Sequence, residues 1–198
     1  MRLPSHVYQG LHVCIAMRNP QLAIAVKSFF YEQDVAGFDV VPDLNVGRRT
    51  LEQGGFNLLF VDYDLPITLM ADGSGGSYNR EGSSGGIQFV NEVRYFTGTR
   101  SEMPIVMAIQ GPNETLIAEA RNAGVNEVLS IPLSADAIDQ RLAHIHANPM
   151  PFIRSPGYVG PCRRRGRARI MYDGPERRSG EPAPITGMAG MLTAEAGG

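Results

Sequence analysis

Two groups of residues in this chain are of types that could do chemistry. The first lies in VDYDLP at positions 61–66, where Asp62 and Asp64 follow the apolar run of residues 56–61. A carboxylate at the end of a buried strand can move a proton, ligate a hard cation or accept a phosphoryl group. Beside a loop it can equally be a plain solvated acid, or pair with a nearby cation such as Arg18. The second group is Arg163, Arg164, Arg165, Arg167 and Arg169, five arginines in seven residues, flanked by Tyr158 and Tyr172. Guanidinium offers a planar fork to phosphate and a flat face to bases. This group matches such a use by composition and not by fixed spacing, so a solvated arm that binds nothing is the simpler expectation.

Other reactive types are poorly placed. Cys14 sits in an apolar run and Cys162 beside the arginines, with no ligand spacing between them, so neither a disulfide nor a metal site is expected. His12 heads a strand, His144 and His146 close a helix, and no Cys or Ser has a base near it. The glycines of residues 73–86 neither follow a strand directly nor end in GK[ST], which removes a P-loop or dinucleotide fingerprint. Catalysis and cofactors are therefore not expected. Lys27 is the only lysine in the chain.

The elements that must position these residues follow from periodicity. Short apolar runs at 12–17, 38–42, 56–61, 103–109 and 125–131 read as strands, and the nearly unbroken third run reads as buried on both faces. Helical spacing recurs at 22–30, 46–53, 87–96, 113–122 and from Ser134 to about His146. Pro20 suits a first helical position, Gly124 a helix end and Ser134 a cap. Five strands alternating with five helices predict an α/β fold, a doubly wound five-stranded parallel sheet of flavodoxin type. In such sheets function gathers at the carboxyl ends of the strands. Residues 67–86, rich in Gly and Ser, read as a flexible insertion within a domain spanning 10–147. Residues 148–198 read as a largely disordered tail rich in Arg, Pro and Gly.

The net charge of −2 hides an asymmetry. Residues 1–150 hold 10 Lys+Arg against 16 Asp+Glu, a net −6, while residues 151–198 hold 8 against 4, a net +4. A basic arm on an acidic body suits either an anionic ligand or attraction to the body itself. With no long apolar run and no apolar leader, the expected location is cytoplasmic, away from any membrane.

Over residues 10–146 the chain resembles the receiver domain of two-component response regulators, the CheY-like family. Three stretches carry the resemblance: VDYDLP (61–66), GGIQFVNEVR (85–94), and MPIVMAIQ (103–110) with EARNAGVNEVLSIPLS (119–134). The resemblance implies phosphoryl transfer to an aspartate, with Asp62 as acceptor, and a site completed by an acidic pair for Mg²⁺, a hydroxyl residue and a lysine. Here the acidic pair is matched by Met17 and Arg18, the hydroxyl position by Ile109 and the lysine position by Ile131. The aromatic switch position is matched by Val128. These departures imply a degenerate, pseudo-receiver site around a vestigial Asp62. If Arg18 paired with Asp62, the site would hold one charge state permanently.

The expected function is therefore a protein interaction module in two-component-type signalling that acts without phosphorylation through an unidentified signalling partner. The tail resembles the arginine-rich tails of some stand-alone receivers of alphaproteobacteria, and in certain CheY-like proteins an arginine-rich segment binds cyclic di-GMP. The resemblance thus makes a cyclic dinucleotide effector the alternative, with Arg163, Arg164, Arg165, Arg167 and Arg169 as anion-binding residues. An ordinary receiver phosphorylated on Asp62 is the second alternative, and a nucleic-acid partner is not expected.

Overall fold

The computed structural model describes residues 2–67, 84–96 and 98–162. Three runs without a polar face form the centre of the sheet: β1 (His12–Ala16), β3 (Leu58–Asp62) and β4 (Ile105–Gln110). Every residue of β3 is buried, which is what a strand covered on both faces demands. The partly polar strands β2 (Gly37–Val41) and β5 (Glu127–Ile131) lie at the edges. The order is β2-β1-β3-β4-β5, parallel throughout, as the alternation of strands and helices predicts.

Two layers of helix cover the sheet. On one face, α1 (Ser5–Gln9), α2 (Pro20–Glu32) and α6 (Ala135–Ala147) bury Val7, Val26, Phe30 and Leu142 against Val13, Ile15 and Phe60. On the other, α3 (Leu44–Gln53), α4 (Gly85–Arg94) and α5 (Glu114–Ala123) bury Leu51, Phe89, Val93 and Ala120 against Leu59, Val61 and Met107. Burying a large apolar side chain is worth about 1.5–3 kcal/mol, so these two clusters hold the sheet between the layers. The ends are set locally. Asn19, Asp43, Ser84, Asn113 and Ser134 each cap a helix by accepting a backbone N–H. Gly124 closes α5 with φ of 101°, a left-handed turn that favours glycine.

The domain is larger at both ends than 10–147. At the amino end α1 docks through Tyr8, whose hydroxyl donates to Asp139 Oδ1 at 2.6 Å, while Leu3 N–H donates to the same oxygen at 3.1 Å. Beyond α6, residues 148–161 continue into an antiparallel hairpin, β6 (Phe152–Ser155) and β7 (Tyr158–Pro161). The reading of residues 148–198 as a largely disordered tail is corrected for residues 148–162 alone, which fold as this hairpin. Phe152 is buried, and Pro156-Gly157 makes the turn that lets the two short strands pair. Residues 163–198, including the five clustered arginines, lie outside the described residues, as do residues 68–83 of the Gly/Ser-rich stretch. The described ends of that stretch are packed: Ile67 is buried, and α4 already begins at Gly85.

Candidate functional site

The carboxyl edge of the sheet brings Asp62 together with the positions that the receiver resemblance pairs with it. Asp62 ends β3 and is 6 % exposed. Its Oδ1 accepts the Asp64 N–H at 3.1 Å, a turn closed by the side chain itself. Burial raises its pKa above the ordinary carboxylate range, against the lowering effects of the Asp64 N–H and of Arg18's charge.

The neighbouring positions are apolar. Met17 extends the line of β1, with its N–H donating to Val41 O at 3.0 Å and its side chain inside the core beneath α2. Ile109 is 1 % exposed in the opposite core, and Ile131 packs half-buried against the first. Arg18 turns out to solvent, and among the described residues no ion pair joins it to Asp62. The alternative of an Arg18–Asp62 pair is therefore not what forms: Arg18 falls beyond the end of β1, in the bend before α2, and is exposed there. Arg18 acts on Asp62 through space only.

This donor set does not fit Mg²⁺. A hard divalent cation needs several oxygen ligands, and a thioether, two isoleucines and an exposed guanidinium supply none. The edge also carries no side-chain donor from Ile109 or Ile131 to neutralise a phosphoryl group. What remains chemically is one buried carboxyl that binds its proton more tightly than a solvated one.

Structure adds residues that sequence reasoning passed over. Tyr63, next to Asp62, donates its hydroxyl to Glu119 Oε2 on α5 at 2.7 Å. Burial first, then the bond to Glu119, pushes the phenol up to about 12. The start of α4 presses onto the same loop, with Gly86 N–H donating to Tyr63 O at 3.1 Å. A Cβ at Gly86 would stand 2.2 Å from Asp62 O, and one at Gly85 would stand 1.9 Å from Leu65 O. Only glycine permits that approach, so the loop after Asp62 is clamped between α4 and α5. The available signal is the Gly85-Gly86 pair at the start of α4, which the Gly/Ser composition of residues 67–86 hides.

The second missed residue is Arg94, 1 % exposed at the end of α4. Its guanidinium donates to the carbonyls of Gly124, Ser101 and Met103 and to Asn126 Oδ1, at 2.7–3.0 Å. It also lies over the Phe152 ring, 5.5 Å from the centroid. It ties α4, the approaches to β4 and β5, and the hairpin into one unit. Of the clustered arginines, Arg163, Arg164, Arg165, Arg167 and Arg169, none is placed. Of the cysteines, Cys14 is buried within β1, where burial pushes its thiol up to about 12, and both Cys14 and Cys162 are free thiols.

A five-stranded parallel sheet in this order, with an aspartate closing its central strand, is the fold of CheY-like response-regulator receiver domains. Solved structures of that class superpose on this one. Chemotaxis protein CheY4 of Vibrio cholerae is 14% identical with a TM-score of 0.55, over 68% of this chain and 98% of its own. A response regulator receiver domain protein of Methanospirillum hungatei JF-1 is 13% identical with a TM-score of 0.54, over 68% and 91%. The receiver domain of a Pseudomonas aeruginosa PAO1 sensor histidine kinase, which has magnesium coordinated in its active-site cleft, is 16% identical with a TM-score of 0.54, over 68% and 95%. At these identities the likeness establishes the fold. No family model and no curated protein matches the sequence.

Proposed function

We propose that this chain is a receiver-fold module of two-component-type signalling that acts by binding a protein partner, without phosphorylation of Asp62. One observation carries the reading. The carboxyl edge keeps the buried aspartate, but the matching strand ends carry Met17 and Ile109, buried in the two apolar cores, and Ile131, half-buried against the first. Phosphoryl transfer rests on positioned charge. Those three positions can offer none, and the only lysine, Lys27, lies on α2. The clamp of Gly85-Gly86 and Tyr63 on the loop after Asp62 supports a fixed surface in place of a switch.

The test is incubation of the purified full chain with acetyl phosphate and Mg²⁺, read by intact mass and by amide NMR. No added phosphoryl group and no shift at residues 61–65 is the expected result. A stoichiometric aspartyl phosphate on Asp62 would overturn the reading.

A further inference from the structure

The strand at one edge of the sheet, β2, is flanked by exposed apolar side chains on both faces. Among the described residues, four of the five large apolar side chains that stand exposed belong to β2 and the two helices beside it: Val40 on β2, Ile24 and Tyr31 on α2, and Val46 on α3. Neighbouring contacts fix their directions. On α2, Lys27 lies over the Phe38 ring of β2, 5.7 Å from the centroid, whereas Phe29 meets Tyr8 of α1 on the other flank. A turn of about 100° per residue puts Ile24 and Tyr31 on the Lys27 flank, toward β2. On α3, Arg48 pairs with Glu92 of α4, and the same turn puts Val46 on the opposite flank, away from α4.

The backbone of this edge is open as well. Gly37 N–H donates to Leu11 O at 3.3 Å and Met17 N–H donates to Val41 O at 3.0 Å, so the odd-numbered residues of β2 bond to β1. Phe38 and Val40 therefore turn their N–H and C=O outward, and among the described residues no strand pairs with that side. Such an edge is a template for another strand, which Lys or Pro within the strand usually blocks. β2 has neither. Its one charge is the exposed Asp39, whose Oδ2 lies 3.8 Å from His12 Nε2.

A helix laid on one face would leave the other face and the backbone uncovered, and a lone peptide strand would bring no helices to either. A second copy of this chain brings a strand and both helical layers. We propose that two copies pair β2 with β2, antiparallel about a two-fold axis at Asp39, to make one continuous sheet. This register opposes all of residues 37–41. Phe38 of each copy exchanges both backbone hydrogen bonds with Val40 of the other, α2 comes beside α2 on one face, and α3 comes beside α3 on the other. Its cost is that Asp39 stands opposite Asp39 of the second copy, a like-charge pair. The strands run in opposite directions across the axis, so the two Asp62 edges point to opposite ends. Resting on the proposed role as an interaction module, the dimer presents that module twice and bridges two partners.

The test is sedimentation equilibrium of the full chain from about 1 μM to about 1 mM, the span of weak to moderate association. Hydrogen exchange at the two extremes accompanies it. The expected result is a reversible monomer–dimer equilibrium, with exchange at the Phe38 and Val40 amides slowed at high concentration and that at Asp39, already bonded to β1, unchanged. Val40→Lys should leave a folded monomer, and Ile24→Ser and Val46→Ser, on opposite faces, should each weaken the dimer. Asp39→Asn removes the like-charge pair and should tighten association about two- to fivefold. A single monomeric species throughout would overturn the proposal. So would a dimer that survives Val40→Lys, or one that Asp39→Asn leaves no tighter. None of these outcomes bears on phosphorylation of Asp62, which the acetyl phosphate experiment decides separately.

Discussion

The Tyr63 hydroxyl donates to the Glu119 carboxylate at 2.7 Å, joining the residue after the buried aspartate to the helix between β4 and β5. It crosses the carboxyl edge from one loop to a neighbouring helix, so it resists any outward movement of that loop. Tyr63→Phe keeps the ring and removes the donor. A hydrogen bond to a charged group contributes about 1.5–3 kcal/mol when enclosed, and less where water can replace it. Glu119 is half-buried, so a loss of about 1 kcal/mol in urea unfolding is expected, with faster amide exchange at residues 63–65. Unchanged stability and exchange would show that Gly85-Gly86 alone holds the loop.

Arg94 makes a sharper prediction. Five donor contacts go to buried carbonyls and one amide oxygen, so Arg94→Met strands several acceptors at once. Losses of more than about 3 kcal/mol are expected for such a change. Arg94→Lys keeps the charge but not the planar fork, and should recover only part of the loss. A chain ended at residue 147 tests the other side of the contact, because it removes Phe152 from Arg94. Loss of that buried ring predicts a destabilisation of about 2–3 kcal/mol relative to a chain ended at 162. Equal stability of the two would mean that the hairpin is an ornament of the fold and not part of it.

Burial holds the Asp62 carboxyl above the ordinary carboxylate range. The folded chain therefore binds this proton more tightly than the unfolded chain does. Stability contributed here falls as pH rises from the usual carboxylate pKa through the raised folded value. Asp62→Asn removes the ionisation while keeping an oxygen for the Asp64 N–H. The variant should match the parent below that window and exceed it above, by a few degrees in Tm at neutral pH. A variant less stable at neutral pH would mean that a cation compensates the carboxylate in solution.

The βα order was legible because each central strand is a near-continuous apolar run and each helix has its own cap, as Ser134 and Gly124 illustrate. Asp62, Met17, Ile109 and Ile131 were legible as one edge for the same reason: strand ends in a parallel sheet share a side. What sequence left hidden depends on tertiary partners. α1 is five residues long and has too little pattern to announce itself; its place comes from the bond between Tyr8 and Asp139, far apart in the chain. Arg94 looks like a solvated helix end until the hairpin covers it. The hairpin in turn offers only FIRS and YVGP around Pro156-Gly157, short strands amid Arg, Gly and Pro that suggest an unstructured arm. Arg18 is the reverse case: the receiver resemblance puts it at the edge beside Asp62, which allows a pair, but in the bend after β1 its side chain is exposed.

The arginines invite a last prediction, on cyclic di-GMP. A pocketed dinucleotide needs its two phosphates met by donors at fixed spacing, with a stacking surface for the bases. Residues 163–169 supply charge without such spacing. Calorimetric titration of the full chain at two salt concentrations should therefore give no saturable heat. Non-specific attraction to a longer polyanion is a separate matter, and it should weaken steeply with salt through counterion release. Micromolar heat that disappears in the five-alanine variant and responds little to salt would show a built dinucleotide site, and the chain would then be an effector whose arm reads a small anion.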